Sequence, residues 1–200
     1  MSTGLDNCFR HFFPHRNIHL AVCATWLSPA TLSAVALRVG ILTISDKGSR
    51  GERDDTSGAA VRELVVGIGG EVTQYAVVPD ERQGIAAKLA VWSDSGTLDL
   101  ILTTGGTGLA RRDVTPEATL DVAERLVPGI AEAMRAAGLG MTQRAMLSRA
   151  VAVVRSGTLI VNLPGSEKGV RENLTAVLDV LPHAIELLRD QTEHPPANGT

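Results

Sequence analysis

The residues best equipped for chemistry lie in a glycine-rich stretch, TTGGTGLARRD, at positions 103–113. Three glycines fall within four positions of one another, and two arginines and Asp113 follow them. A loop rich in backbone N–H groups, followed by guanidinium groups, is suited to binding an anion such as a phosphate. The glycines alone suit a tight turn equally well. The stretch is neither a Walker motif, because no Lys-Ser/Thr pair follows, nor a GxGxxG dinucleotide motif.

Three further polar segments follow runs of apolar and β-branched residues, as the glycine-rich stretch does. Ser45 and Asp46 follow the first run, Asp80 follows the second, and segment 163–166 follows the last. Because ligands bind at the carboxyl ends of parallel strands, we expect all four segments at one edge of a sheet. Aspartates, arginines and glycine N–H groups there suit direct phosphoryl or nucleotidyl transfer, with Mg²⁺ held by carboxylates. No Cys or His lies at a predicted strand end, which argues against a covalent mechanism through either.

Several of these residues also have simpler structural interpretations. Asp80, with Gln83 three positions later, is typical of a helix capping box. Thr115 lies directly before a proline and suits the N-cap of a helix, and Asp113 suits the same cap. Ser166 suits the N-cap of the last helix. Their common position at predicted strand ends favours the functional interpretation.

The elements that must position these residues follow from the hydrophobic pattern. Strands are predicted at 38–45, 71–78 and 98–102, and amphipathic helices separate them. Two β-branched runs joined by Ser156-Gly157 predict a tight hairpin, so that the fourth and fifth strands are antiparallel neighbours. The alternation predicts the α/β class, with a mostly parallel mixed sheet, one antiparallel strand and helices on both faces.

Further helices are predicted after the third strand. One runs from Thr115 towards Arg125, and another starts at Pro128. The last helical region covers residues 170–189, and Pro182 is expected to break or kink it. The chain between the second of these helices and the hairpin, 138–149, shows no clear pattern beyond a loop with a short helix.

Length and composition exclude several classes of protein. Two hundred residues suit one domain, and the net charge of −3 argues against a general nucleic-acid surface. No apolar run reaches the roughly 18 residues of a membrane helix. Residues 1–36 hold both cysteines and all three phenylalanines, and suit a secretory signal, a disordered leader or a mis-assigned start. We expect a leader at 1–36, one domain at 37–190, a disordered tail at 191–200 and a cytoplasmic protein.

Four motifs together resemble those of the MogA/MoaB-type molybdopterin adenylyltransferases and the G domain of gephyrin. They are TISDKGSRG at 43–51, VVPDE at 77–81, TTGGTGLARRDVTPEAT at 103–119 and NLPGS at 162–166. The resemblance implies a three-layer α/β/α sandwich that forms trimers. It also implies transfer of AMP from Mg-ATP to the terminal phosphate of molybdopterin, with release of pyrophosphate, in molybdenum cofactor biosynthesis. The product would then pass to a molybdenum-insertion protein.

The resemblance also implies roles for individual residues. By motif match, Asp80 and Asp113 are the essential catalytic aspartates and hold the Mg²⁺ that accompanies ATP. Glu167 departs from the family pattern, in which proline often follows PGS, and we expect its side chain to point into solvent. The residues predicted to bind the substrates are Ser45, Asp46, Thr104, Gly105, Gly106, Thr107, Gly108, Arg112, Thr115, Pro164, Gly165 and Ser166.

Other functions remain open at this point. The main alternative is a non-catalytic trimeric scaffold or molybdopterin-binding protein of the same fold, as gephyrin illustrates, although the presence of both aspartates favours an enzyme. The related molybdenum-inserting proteins are much longer chains. A nucleic-acid regulator is disfavoured by the acidic charge balance. The expected partners are therefore molybdopterin, ATP, further copies of the chain and an insertion protein, without nucleic acid or membrane.

Overall fold

The computed structural model describes residues 36–190. The predicted leader at 1–36, apart from Ala36, and the predicted tail at 191–200 lie outside the described residues. The described part of the chain forms one mixed sheet with helices packed on both of its faces. This arrangement confirms the predicted α/β class.

Apart from a four-residue helix directly after the first strand, which was not predicted, strands and helices alternate in the predicted order as far as the helix that begins at Thr115. The strands are β1 (Leu37–Ile44), β2 (Gly70–Val78), β3 (Leu100–Thr104), β4 (Arg125–Leu126), β5 (Ala152–Arg155) and β6 (Thr158–Leu163). The helices are α1 (Asp46–Ser49), α2 (Thr56–Gly67), α3 (Arg82–Asp94), α4 (Thr115–Asp121), α5 (Pro128–Leu139), α6 (Glu167–Thr175) and α7 (Leu181–Asp190). Short 3-10 helices lie at Gln143–Leu147 and Leu178–Val180.

The strand order across the sheet is β2-β1-β3-β6-β5-β4. Strands β2, β1, β3 and β6 are parallel, whereas β5 is antiparallel to both of its neighbours. The hairpin between β5 and β6 turns at Ser156 and Gly157, whose φ angles are 47° and 76°. Two successive positive φ angles are typical of the type I′ turn that suits a two-residue hairpin. The predicted hairpin and the single antiparallel strand are thus confirmed in the described sheet.

Strand β4 was not predicted from the sequence. The helix expected to reach Arg125 ends at Asp121, and Arg125 and Leu126 instead pair with β5 at the edge of the sheet. Both side chains of this short strand are exposed, so no buried alternation marks it in the sequence. The helical region predicted at 170–189 is interrupted before Pro182, because α6 ends at Thr175 and α7 begins only at Leu181, with the proline in its first turn.

The core consists of two apolar layers, one on each face of the sheet. Leu100 and Leu102 of β3 pack on one side with α2, α5, α6 and α7, and Ile101 packs on the other with α3 and α4. All five residues of β3 are buried, as expected for a central parallel strand. This double burial fixes the position at which β3 ends and the glycine-rich loop begins. Within residues 36–190, no helix combines the length and the apolarity needed to cross a membrane.

Candidate active site at the carboxyl ends of the parallel strands

The polar segments predicted to share one edge of the sheet do so. At this edge Thr104 of β3 pairs with Thr43 of β1 and with Leu163 of β6. Ile44 pairs with Val78 of β2 in the same way. The four strands therefore end level with one another, and the segments that follow them lie side by side.

The glycine-rich loop needs its first two glycines for steric reasons. Gly105 and Gly106 have φ angles of 107° and 63°. A Cβ atom on Gly105 would lie 2.2 Å from the backbone oxygen of Ile44, and one on Gly106 would lie 2.4 Å from Oγ1 of Thr115. The N–H of Gly105 donates to the oxygen of Leu163 at 3.2 Å. The loop therefore turns sharply against its neighbours, and this N–H group is already engaged within the protein.

Two threonines that were predicted to bind substrate donate hydrogen bonds to backbone oxygens at and beside the glycine-rich loop. Thr104 Oγ1 donates to the backbone oxygen of Pro164 at 2.7 Å, and Thr115 Oγ1 donates to that of Gly105 at 2.9 Å. The interpretation of Thr115 as a helix N-cap is wrong, because α4 is preceded by Val114 and has no side-chain cap. Thr115 is instead fully buried in the first turn of α4, where its hydroxyl group reaches back to the loop.

Asp80 and Asp46 are joined by a reciprocal pair of hydrogen bonds. The N–H of Asp46 donates to Asp80 Oδ2 at 2.9 Å, and the N–H of Asp80 donates to Asp46 Oδ1 at 3.1 Å. The capping-box interpretation of Asp80 is wrong, because the N-cap of α3 is Glu81 and no side chain caps this helix. The carboxylate of Asp80 therefore joins the loop after β2 to the loop after β1.

These two carboxylates have different electrostatic environments. Burial raises the pKa of Asp80 above its ordinary value, and the nearby charges of Asp46 and Asp113 act in the same direction. The Arg112 guanidinium lowers the pKa of Asp46 through a bidentate contact, with Nε–Oδ2 and Nη2–Oδ1 distances of 2.6 and 2.7 Å. Asp46 is thus the counter-ion of Arg112, whereas Asp80 would gain from an incoming cation.

Asp113 is held by its own loop. Its Oδ2 accepts from the N–H of Ala110 at 2.8 Å, so its carboxylate closes a turn and does not cap α4. It lies directly over Gly108, where a Cβ atom would come within 2.8 Å of Oδ2. A Cβ atom on Gly106 would lie 3.4 Å from Oδ1 of Asp80, so the carboxylates of both predicted catalytic aspartates lie beside the glycine-rich loop.

The loop after β3 borders two cavities, with volumes of about 170 and 500 Å³. Of the predicted site residues, the smaller cavity is lined by Ser45, Asp80, Thr104, Gly105, Gly106 and Gly165. The larger cavity is lined by Thr107, Gly108, Pro164 and Ser166. The predicted residues that line neither cavity are Asp46, Arg112, Asp113 and Thr115.

Two predictions on the segment after β6 are confirmed. Ser166 is the N-cap of α6, because its Oγ accepts from the N–H of Gly169 at 3.1 Å. The side chain of Glu167 is about half exposed, forms an ion pair with Arg171 and lines neither cavity.

The smaller cavity also contains acidic residues that sequence reasoning did not assign to the site. Asp54 and Asp55 both line it. Burial alone would raise the pKa of Asp55, but hydrogen bonds from Thr43, Tyr75 and neighbouring groups outweigh burial and lower it. Asp55 is also the N-cap of α2, where it accepts from the N–H of Gly58 at 2.8 Å. The unbroken polar run from residue 45 to 55 is the signal that could have extended the site.

Arg149 is a second residue that sequence reasoning missed. It lies in the stretch 138–149, for which no clear element was predicted, and its Nε donates to the oxygen of Gly108 at 2.7 Å. The two residues are 41 positions apart, and no motif includes Arg149. Only the folded chain therefore shows this contact with the glycine-rich loop.

Comparisons with known proteins agree with this geometry. The family described as a probable molybdopterin binding domain matches residues 40–183. A molybdopterin adenylyltransferase from Helicobacter pylori strain J99 is 40% identical over 154 residues, which cover 76% of this chain and 88% of that protein. Gephyrin from Dictyostelium discoideum is 44% identical over 163 residues, which cover 76% of this chain and 23% of that protein.

A solved structure shares both the fold and much of the sequence. The molybdopterin biosynthesis enzyme MoaB from Thermus thermophilus matches with a TM-score of 0.72 and 60% sequence identity, over 76% of this chain and 96% of that one. The family match extends over most of the described residues, from β1 to α7. The chain therefore belongs to the family of probable molybdopterin binding domains.

Proposed function

We propose that this protein is a molybdopterin adenylyltransferase, a nucleotidyltransferase of molybdenum cofactor biosynthesis. It would transfer AMP from Mg-ATP to the terminal phosphate of molybdopterin and release pyrophosphate. The similarity to the named adenylyltransferase supports this activity. The structural observation that carries the proposal is the position of the Asp80 and Asp113 carboxylates beside a glycine-rich loop that borders two cavities.

In the proposed reaction, an oxygen of the pterin phosphate attacks the α-phosphorus of ATP in line. A new phosphorus–oxygen bond forms, and the bond from the α-phosphorus to the bridging oxygen of the pyrophosphate breaks. The two cavities on either side of the loop provide space for two ligands to meet there. Backbone N–H groups of Gly106 to Gly108 and the guanidinium of Arg112 would neutralise phosphate oxygens. Catalysis then consists mainly of positioning and charge neutralisation.

The residues present fit a Mg²⁺ ion that arrives with ATP. Burial raises the pKa of Asp80, and a bound cation would favour its charged form. Mg²⁺ prefers oxygen ligands, and commonly uses one or two carboxylates together with substrate phosphates and water. Among residues 36–190, no cluster of three or more His, Cys, Asp or Glu could hold a metal ion. We therefore propose that Asp80 and Asp113 share the ion with the phosphates, where it would stabilise negative charge.

The proposed assembly and location follow the resemblance to the family. We propose a cytoplasmic homotrimer that passes adenylylated molybdopterin to a molybdenum-insertion protein. Sedimentation of the purified protein measures the assembly directly, and a monomer at micromolar concentration would contradict this part of the proposal.

The catalytic assignment is tested with Asp113→Ala. We expect the rate of AMP transfer to fall at least about 100-fold, because a charged group that acts on the reacting phosphates is lost. The melting temperature should change by less than about 3 °C, because this loop residue contributes little to the core. The assay combines protein, Mg-ATP and molybdopterin, and quantifies adenylylated pterin and pyrophosphate.

The matched control is Asp121→Ala, which removes an exposed aspartate at the end of α4 that pairs with Arg82. We expect this variant to retain the wild-type rate. Equal rates for wild type and Asp113→Ala would show that Asp113 is not catalytic. A wild-type protein that binds molybdopterin but releases no pyrophosphate would instead support the scaffold alternative.

A further inference from the structure

Arg149 lies outside the four motifs, yet it contacts the glycine-rich loop at both of its ends. Its Nε donates to the backbone oxygen of Gly108 at 2.7 Å, and its Nη2 donates to that of Asp113. Its backbone N–H donates to the oxygen of Thr107 at 3.0 Å. A single residue therefore spans the segment 107–113, at whose end the proposed catalytic aspartate lies.

The third arm of the guanidinium contacts helix α4. Nη1 donates to Oε1 of Glu117, which lies in the first turn of that helix. All three nitrogens of the Arg149 guanidinium thus donate to acceptors within the protein, whereas Arg112 pairs with Asp46 through only two of its nitrogens. The planar fork of five donors in Arg149 can serve three acceptors at fixed angles, whereas a lysine ammonium cannot reproduce that geometry. These contacts favour a role in holding the loop over a role in binding the substrate.

The turn that Arg149 spans has little other support. Residues 109–112 are exposed, so no apolar packing fixes them. Within the turn, the N–H of Ala110 donates to Asp113 Oδ2 and the N–H of Asp113 donates to the oxygen of Ala110. These bonds shape the turn but do not attach it to the sheet. The attachments through side chains are the ion pair between Arg112 and Asp46 and the three-armed contact of Arg149.

We infer that Arg149 is a positioning residue, which holds the loop that carries Asp113 in the geometry required for AMP transfer. The catalytic consequence rests on the proposed function, but the ordering of the loop does not. A displacement of about 1 Å in a reacting group can reduce a rate about 100-fold. Arg149 therefore controls the reaction through Asp113 without contacting the substrates.

The first experiment compares Arg149→Lys with Arg135→Lys. Arg135 is the matched control, because its guanidinium donates to the oxygen of Ala150 in the adjoining segment and does not contact the loop. We expect Arg149→Lys to lower kcat about tenfold to 100-fold, with little change in the KM for ATP. Arg135→Lys should retain kcat within about twofold. A kcat for Arg149→Lys as high as that of Arg135→Lys would overturn the inference.

A double-mutant cycle with Asp113→Asn separates positioning from a general structural role. If Arg149 acts through Asp113, Arg149→Lys should reduce the residual rate of Asp113→Asn by less than about threefold. The same fold-loss in both backgrounds would show that Arg149 does not act through Asp113, and would overturn the inference.

Hydrogen exchange of the amides in segment 107–113, measured without substrates, tests the structural part alone. We expect exchange in Arg149→Lys to be at least about tenfold faster than in wild type or Arg135→Lys. Unchanged exchange would overturn the inference whatever the activity. Faster exchange in a protein whose wild type transfers no AMP would support the ordering role and overturn the proposed function instead.

Discussion

Asp80 and Asp99 lie at opposite edges of the same sheet and have opposite electrostatic environments. Asp80 follows β2 at the carboxyl ends of the parallel strands, and Asp99 directly precedes β3 at their amino ends. Asp99 is only 5% exposed, and both Arg38 and Arg189 form ion pairs with it, with N–O distances of 2.8 and 2.7 Å. Asp80 receives one backbone N–H instead and lies near two other carboxylates.

Burial raises the pKa of both aspartates, but the groups that surround them shift their pKa values in opposite directions. At Asp99, burial would raise the pKa, and hydrogen bonds from the two arginines outweigh it and hold the pKa well below the ordinary value. At Asp80, burial and like charges raise the pKa, and the nearby Arg112 is bound to Asp46 instead. A carboxylate satisfied by two guanidinium groups stabilises the fold, whereas one without such partners is destabilising until a cation binds. The amino ends of the parallel strands thus hold an aspartate whose charge is neutralised, whereas the carboxyl ends hold one whose charge is not.

The largest expected effect concerns Asp80. Asp80→Asn should lower the rate of AMP transfer about 100-fold to 1000-fold, because the charge that would bind Mg²⁺ is removed. It should not lower the melting temperature. Because the folded-state pKa is raised, the charged form of Asp80 destabilises the wild type as the pH rises through that pKa, and the variant avoids this penalty. Thermal unfolding between about pH 4 and about pH 8 measures the difference. A variant less stable than wild type at the upper pH would show that the charge of Asp80 does not destabilise the fold.

The next effect concerns Asp99. Asp99→Asn should lower the free energy of unfolding by about 2–3 kcal/mol at neutral pH, because two guanidinium groups lose their counter-ion. This figure is below that for a fully buried pair, because both arginines are about one-third or more exposed and remain hydrated. Urea unfolding measures it. The rate of AMP transfer per folded molecule should be unchanged.

The pH dependence of this difference follows from the lowered pKa of Asp99. The stabilisation is fully present above the unfolded-state pKa of about 3.9, and is lost as the pH falls through the lower folded-state pKa. The gap between wild type and Asp99→Asn should therefore shrink below about pH 4. A gap that stays constant down to the acid unfolding transition would show that the ion pairs are not its source.

The smallest effect concerns Arg112, which pairs with Asp46 beside the carboxyl ends of the parallel strands. Arg112→Gln should change the stability of the fold little, because the side chain is 60% exposed and its ion pair with Asp46 is solvated. It should lower the rate of AMP transfer about tenfold, because one attachment of the loop is lost together with the charge that we propose binds phosphate. The control is Arg82→Gln, since Arg82 forms a similarly exposed bidentate pair with Asp121 outside the site. A large loss of stability in Arg112→Gln would show that arginine ion pairs stabilise the fold at the carboxyl ends of the strands as they do at the amino ends.

Several parts of the fold and site could be predicted because their causes are local. Strand β3 is a run of five apolar and β-branched residues, and glycines follow it directly. Ser156-Gly157 predicted the hairpin through its turn conformation. Strand β4 could not be predicted, because its two exposed residues carry no periodic pattern and depend on pairing with β5.

The role of Asp80 shows why a correct local pattern can still mislead. Asp80 with Gln83 has the spacing of a capping box, and a helix does begin nearby at Arg82. Instead, the carboxylate of Asp80 accepts a hydrogen bond from the N–H group of Asp46, which is 34 positions away in the sequence. The loops after β1 and β2 lie side by side in the sheet, so a remote donor replaces the local one.

Apart from α1 and β4, the sequence by itself determined the order of strands and helices, the hairpin and the set of polar segments at the strand ends, because period, chirality and turn conformation act over a few residues. Only the tertiary structure decided which partner each charged group has. Arg112 binds Asp46, Arg149 binds the glycine-rich loop, and two arginines neutralise Asp99. Ion pairs and hydrogen bonds require contact within a few ångströms, and these partners are separated by 36 to 90 positions in the chain.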